Sequence, residues 1–107
     1  MRNRFGVKLD SNGYAPSIVQ ENTEVCYICK RCDHKLDRHE PFHGPYRDKS
    51  KALGLWVALC HESCHLGKAH NEFQIIKDLK QDTQEAAMER YGWDTETFIR
   101  EFGKNWL

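Results

Sequence analysis

All five cysteines and all six histidines of this 107-residue chain lie between Cys26 and His70. The order is Cys26-x2-Cys29-x2-Cys32, then His34, His39 and His43, then Cys60-His61-x2-Cys64-His65, then His70. Two cysteine pairs about thirty residues apart can bring four thiolates around one tetrahedral zinc ion. Cys26, Cys29, Cys60 and Cys64 are the favoured set, because four thiolates close the shell and join two segments. A competing set places Cys26, Cys29 and Cys32 on one metal. The histidines are surplus to a four-thiolate site, which points to a second metal that does chemistry. The alternative is a purely structural finger with solvent-facing histidines, and His34 and His61 are read as surface residues.

Composition bounds the setting. A chain of this length makes one domain with a thin core, and a metal staple would help it. Charged residues make up 30% of it, and no apolar run approaches the length of a membrane span. The opening Met1-Arg2-Asn3-Arg4-Phe5 lacks the apolar core of a secretory signal. A reducing cytoplasm is therefore expected, where paired cysteines bind metal rather than form disulfides. Net charge is zero but unevenly spread. Lys30, Arg31, Lys35, Arg38, Arg47, Lys49 and Lys51 outnumber Asp33, Asp37, Glu40 and Asp48 in the cysteine/histidine region, and Arg2, Arg4 and Lys8 precede it. A basic field around a metal site fits a polyanionic partner such as DNA.

Three parts must position these residues: an arm (1–25), the cysteine/histidine module (26–70) and a helical tail (71–107). In the arm, Val7 and Leu9 alternate with Lys8 and Asp10, and Ser11-Asn12-Gly13 supplies a turn, which predicts a β-hairpin over 5–20 with Pro16 at an edge. Within the module, Leu55–Leu59 reads as a strand running into Cys60. In the tail, Phe73, Ile76, Leu79, Thr83, Ala87 and Tyr91 recur at helical spacing, with Asn71 as N-cap and Gly92 as stop. Asp94 caps a second helix carrying Phe98, Ile99 and Phe102, which Gly103 ends; Trp93 and Trp106 fold it back onto the module.

The order CxxC, then a histidine-bearing segment, then Leu-Cys-x3-Cys-His, resembles the HNH nuclease superfamily. Leu9–Ile18, Arg38–Gly44, Gly54–Cys60 and Phe102–Leu107 are also similar to small HNH-like proteins of phages and prophages, so the resemblance covers nearly the whole chain. It implies an α+β fold: a small zinc-stapled ββα-metal module with an N-terminal hairpin and a C-terminal helical tail. By this resemblance His39-Glu40 is the motif pair, with His39 on a catalytic divalent metal (Mg²⁺, Mn²⁺ or Ni²⁺) and Glu40 as general base. In another register His39 is the base and Asp37 reaches the metal; His43 is a third candidate base. The final family histidine maps to His65, and His70-Asn71 can add a ligand or an orienting group. The family's middle asparagine maps near Leu55 and is absent.

The implied activity is that of a metal-dependent endonuclease or nickase, phage-encoded, hydrolysing DNA phosphodiester bonds in the host cytoplasm. Arg4, Arg31, Arg38, Arg47, Lys49 and Lys51 would hold phosphates. Glu40 and Leu55 depart from the family pattern, and they favour the alternative of a catalytically weakened scaffold. Such a scaffold would bind DNA or a host protein, for example as an inhibitor of a host defence system. A zinc-stapled structural domain without nucleic-acid contact is a third possibility. No membrane partner is expected.

Overall fold

Two short strands sit at the middle of the fold because the sequence supplies two kinds of strand. The computed structural model describes residues 1–31, 35–69 and 71–107. Strand β1 (Leu36–His39) pairs antiparallel with β2 (Val57–Cys60), in the register Leu36 with Cys60, Asp37 with Leu59, Arg38 with Ala58 and His39 with Val57. All four β2 residues are buried, as expected of a continuous apolar run covered on both faces. In β1, apolar, acidic, basic and imidazole side chains follow one another. Strand alternation puts Asp37 and His39 on one face.

Between the strands, Gly44–Tyr46 makes a 3₁₀ turn and Arg47–Ala52 forms the short helix α1. After β2 the chain enters a π-helical segment, His61–Ala69, then helix α2 (Phe73–Tyr91) and helix α3 (Thr95–Phe102). Gly54 turns α1 into β2 at φ +75°, and the Pro16 carbonyl occupies the space a Cβ would need. Only glycine meets both demands. The chain is thus a small α+β fold with a two-stranded antiparallel sheet and, among the described residues, three α-helices.

The core has two lobes. At one end Val57, Leu59 and Leu79 pack with Cys26, Cys60 and Cys64. At the other Phe42, Leu53, Leu55, Ala87, Phe98 and Phe102 pack together, with Trp93 and Trp106 partly buried against them. Helix α2 serves both through Leu79 and Ala87. The radius of gyration is 13.3 Å, about the value for a compact chain of this length, so the arm folds onto the rest. No helix among the described residues is long and apolar enough to cross a membrane.

The arm departs from the hairpin expected over 5–20. The turn forms, with Gly13 N–H donating to Asp10 O and Asp10 N–H to Tyr14 O. Its flanks do not pair as strands. Residues before the turn bridge back to the N-terminus (Arg2 with Lys8), and those after it bond to Lys51 and Gly54 carbonyls. Pro16 lacks a donor, and the polar anchors Ser17 (to Trp56 O) and Trp56 Nε1 (to Ala15 O) bind this stretch to the start of β2 instead.

The tail follows expectation with two corrections. Gly92 (φ +68°) and Gly103 (φ +84°) end α2 and α3, and Asp94 accepts from Thr97 N–H. Glu72, not Asn71, holds the N-cap position of α2, without a side-chain cap; Asn71 Nδ2 donates to Gly67 O. Phe73 is 77% exposed and so lies off the buried stripe. The stripe gains a residue that apolar periodicity does not flag. Gln84 is fully buried, accepting from Trp106 N–H and donating to Asn105 Oδ1, each at 2.8 Å. Replacing Gln84 with Ala leaves both partners unpaired, so about 1–3 kcal/mol of stability should be lost. Urea unfolding measures this; an unchanged midpoint would show that the amide clamp does not hold the terminal segment.

Candidate metal centre and adjoining cleft

The four cysteines favoured on spacing do come together. The sulfurs of Cys26, Cys29, Cys60 and Cys64 all lie within 4.8 Å of one another, and Cys29 Sγ is 3.2 Å from Cys60 Sγ. Around a tetrahedral zinc at about 2.3 Å, sulfurs stand about 3.8 Å apart, so the cluster fits such an ion with small adjustments. Three of the four are buried. This group could hold one structural metal ion. The competing ligand Cys32 lies outside the described residues, as do His34 and His70.

Local structure makes the cluster. Lys30 N–H donates to Cys26 O, and Lys30 takes φ +63°, a left-handed conformation uncommon for a side-chain-bearing residue. The knuckle this turn forms is fixed to β2 by Tyr27 N–H donating to Ala58 O at 2.8 Å. The buried Gln20 amide ties the arm in, accepting from Ala58 N–H and donating to Val25 O. Burial alone would push the Cys26 thiol up, but N–H donors from Cys29, Cys60 and Ile28 prevail and lower it. The Cys60 thiol is pushed up by burial and by the neighbouring sulfurs. One thiolate forms readily and opposes the others, a conflict that a cation relieves.

A second set of ligand-type residues is interleaved with the first. Cys60 and Cys64 are four apart, and so are His61 and His65, one residue on. Residues at that spacing lie on one side of a helix. The thiols therefore turn to the knuckle while the imidazoles turn to β1. Nδ1 of His61 lies 2.5 Å, and Nδ1 of His65 2.9 Å, from Asp37 Oδ2. Burial would raise the Asp37 carboxyl, but hydrogen bonds from His65 and His61 outweigh it and hold it below its usual value. His61 is thus held by a carboxylate, contrary to its reading as a plain surface residue. The two equal spacings were the available signal.

His39, at the end of β1, is 7% exposed, and its ring centroid is 5.2 Å from that of His65. Both line an open cleft of about 480 Å³, with Arg38, Glu40, His43, Gly44 and Arg47. No family model, curated protein or solved structure matches the chain closely enough to assign it to a family. The site is therefore read from its geometry.

Glu40 is buried and accepts from Arg47 Nε at 2.9 Å. Its carboxylate is already engaged, which argues against the motif-pair role of general base. His43 is exposed at the rim of the cleft. The four thiols are, among the described residues, the one group of three or more ligand atoms gathered this closely.

The basic residues expected to hold phosphates are mostly engaged within the fold. Arg38 bonds Asp10 and lies over Tyr14 and Trp56. Arg4 and Lys49 share Glu101, and the Lys51 ammonium sits 4.9 Å from the Tyr14 ring. Arg31 is exposed and is not among the residues that line the cleft. Only Arg38 and Arg47 line the cleft itself.

Purified protein should carry about one tightly held zinc, and Cys60→Ser should release it and unfold the chain, because metal binding supplies folding free energy. Protons compete for thiolates, so acidification should release the metal and raising the pH should restore it. Elemental analysis with circular dichroism checks both; a metal-free protein of undiminished stability would contradict the assignment.

Proposed function

We propose that the chain is a small HNH-type nuclease that hydrolyses DNA phosphodiester bonds with one divalent ion in the cleft. The observation that carries this reading is the His39–His65 pair, ring centroids 5.2 Å apart in an open cleft lined by two arginines. His39 comes from the end of the first strand and His65 follows the last thiol of the metal cluster, the order expected of a ββα-metal module.

The donor set fits an ion of borderline softness. Imidazoles suit Ni²⁺, Zn²⁺ or Fe²⁺ better than Mg²⁺, which prefers oxygen. His39 and His65 would hold the ion, and Asp37 would fix the ring of His65 through Nδ1, as carboxylates orient ligating histidines. A divalent ion there would polarise the scissile phosphate and stabilise the leaving oxygen. Arg47 would meet a non-bridging phosphate oxygen, with Glu40 setting its position. His43 would accept the proton of the attacking water, imidazole being the commonest general base.

A second reading is favoured by the Glu40–Arg47 pair and by the internal partners of most basic residues. In it the module is a weakened scaffold that binds DNA or a host protein. Plasmid nicking with Mg²⁺, Mn²⁺ or Ni²⁺ separates the two. The nuclease reading expects cleavage strongest with Ni²⁺, lost in His39→Ala and His65→Ala with the zinc retained. His43→Ala should cost about 10²–10⁴-fold in rate, and Asp37→Asn about 10–100-fold in metal affinity or rate. A Glu40→Gln variant of near-normal rate would support its positioning role. Absence of cleavage with every metal would leave the binding scaffold as the reading.

A further inference from the structure

Among the described residues, two lysines on the far side of His43 meet an aromatic ring and not the carboxylates that hold Arg4, Arg38, Arg47 and Lys49. Lys80 of α2 and Lys104, just beyond α3, each place the ammonium 4.2 Å from the centre of the Trp106 ring. Among the described residues neither has a carboxylate partner within ion-pair distance. Burial lowers the proton affinity of Lys80 and the Lys104 charge adds to it. Like charges brought together without an acid are relieved by an anion.

The lysines stand at one edge of a second cleft, of about 260 Å³, which Phe42, Tyr46, Phe102 and Trp106 line with aromatic surface. Its position is fixed. Gln81 Nε2 donates to Trp106 O, and buried Gln84 accepts from Trp106 N–H, so the terminal segment is clamped to α2 beside Lys80. Gly103 permits the close approach, because a Cβ there would collide with the Tyr46 hydroxyl. His43 lines both this cleft and the histidine cleft, so the two adjoin at that side chain.

We infer that this aromatic cleft is a subsite for single-stranded DNA, with a base against Tyr46 and Trp106 and a phosphate between the Lys80 and Lys104 ammoniums. The inference rests on the nuclease reading for its direction and deepens it, since it names the substrate as a strand with an unpaired segment beside the scissile phosphate. A base exposes its face to an aromatic side chain only when it is unstacked, and such stacking tolerates any sequence. The lysine pair supplies the charge that the expected cations, held by Asp10, Glu40 and Glu101, have already committed elsewhere.

Fluorescence anisotropy with a labelled single-stranded oligonucleotide tests it, using zinc-loaded protein without added divalent metal so that nothing is cleaved. Lys80→Gln with Lys104→Gln should weaken binding at least about tenfold and reduce the slope of log affinity against log salt by about 0.7, for one single-strand phosphate contact. Trp106→Leu should weaken it by roughly 5- to 150-fold, from the usual range of base–aromatic stacking, and Trp106→Phe should restore most of it. Lys77→Gln, on the same helix, should bind as wild type, and a duplex of the same sequence should bind more weakly. Wild-type affinity in the lysine and Trp106→Leu variants, equal preference for duplex, or no binding to any nucleic acid would overturn the inference. The nuclease reading is judged separately. Nicking that survives in the lysine double variant while strand binding is unaltered sinks the subsite alone, and lysine-dependent strand binding without nicking sinks the nuclease reading alone.

Discussion

Four sulfurs within 4.8 Å of one another are the constraint on which the rest of the fold depends. Thiolates so close repel, and thiols so close form only weak hydrogen bonds, so a cation would satisfy the cluster. The sulfurs come from a loop before β1 and from the junction of β2 with the helical segment. A single ion would therefore fasten the knuckle, the end of the sheet and the start of the π-helical turn. With 107 residues and a core split into two lobes, the chain gains much from such a tie.

The same tie sets the histidines. Cys60 and Cys64 fix the rotation of the helical segment, and rotation decides where His61 and His65 point. Asp37 then collects both imidazoles on the face of β1 that also presents His39. π-helical stretches concentrate at functional sites, and here the wide turn carries two interleaved ligand pairs. The second lobe, built on aromatic side chains, holds Lys80 and Lys104 against Trp106 and stands next to the histidine cleft through His43.

What the sequence made legible is what depends on spacing and local chemistry. The cysteine set, the buried strand before Cys60, the glycine stops and the Asp94 cap all rest on neighbours in the chain. The pairing of the arm was not legible. Alternation around Ser11-Asn12-Gly13 favours a hairpin, but Ser17 and Trp56, 39 residues apart, decide its path. The longer-range ion pairs were hidden for the same reason: Arg38 meets Asp10, and Arg4 meets Glu101 across the fold. A count of basic residues does not reveal which of them are already committed. Buried Gln20 and Gln84 were equally silent, since glutamine carries no periodic signal until its amide is seen clamping a segment distant in the chain.

The central claim is that the thiol-bound ion holds His61 and His65 on Asp37. Long-range ¹⁵N–¹H NMR of the histidine side chains tests it directly, before and after zinc is stripped by a chelator. The zinc-loaded protein should show Nδ1 of both His61 and His65 protonated in slow exchange, and removal of zinc should collapse both signals to those of free imidazoles. Identical spectra in the two states, or Nδ1 unprotonated in the loaded protein, would contradict the account.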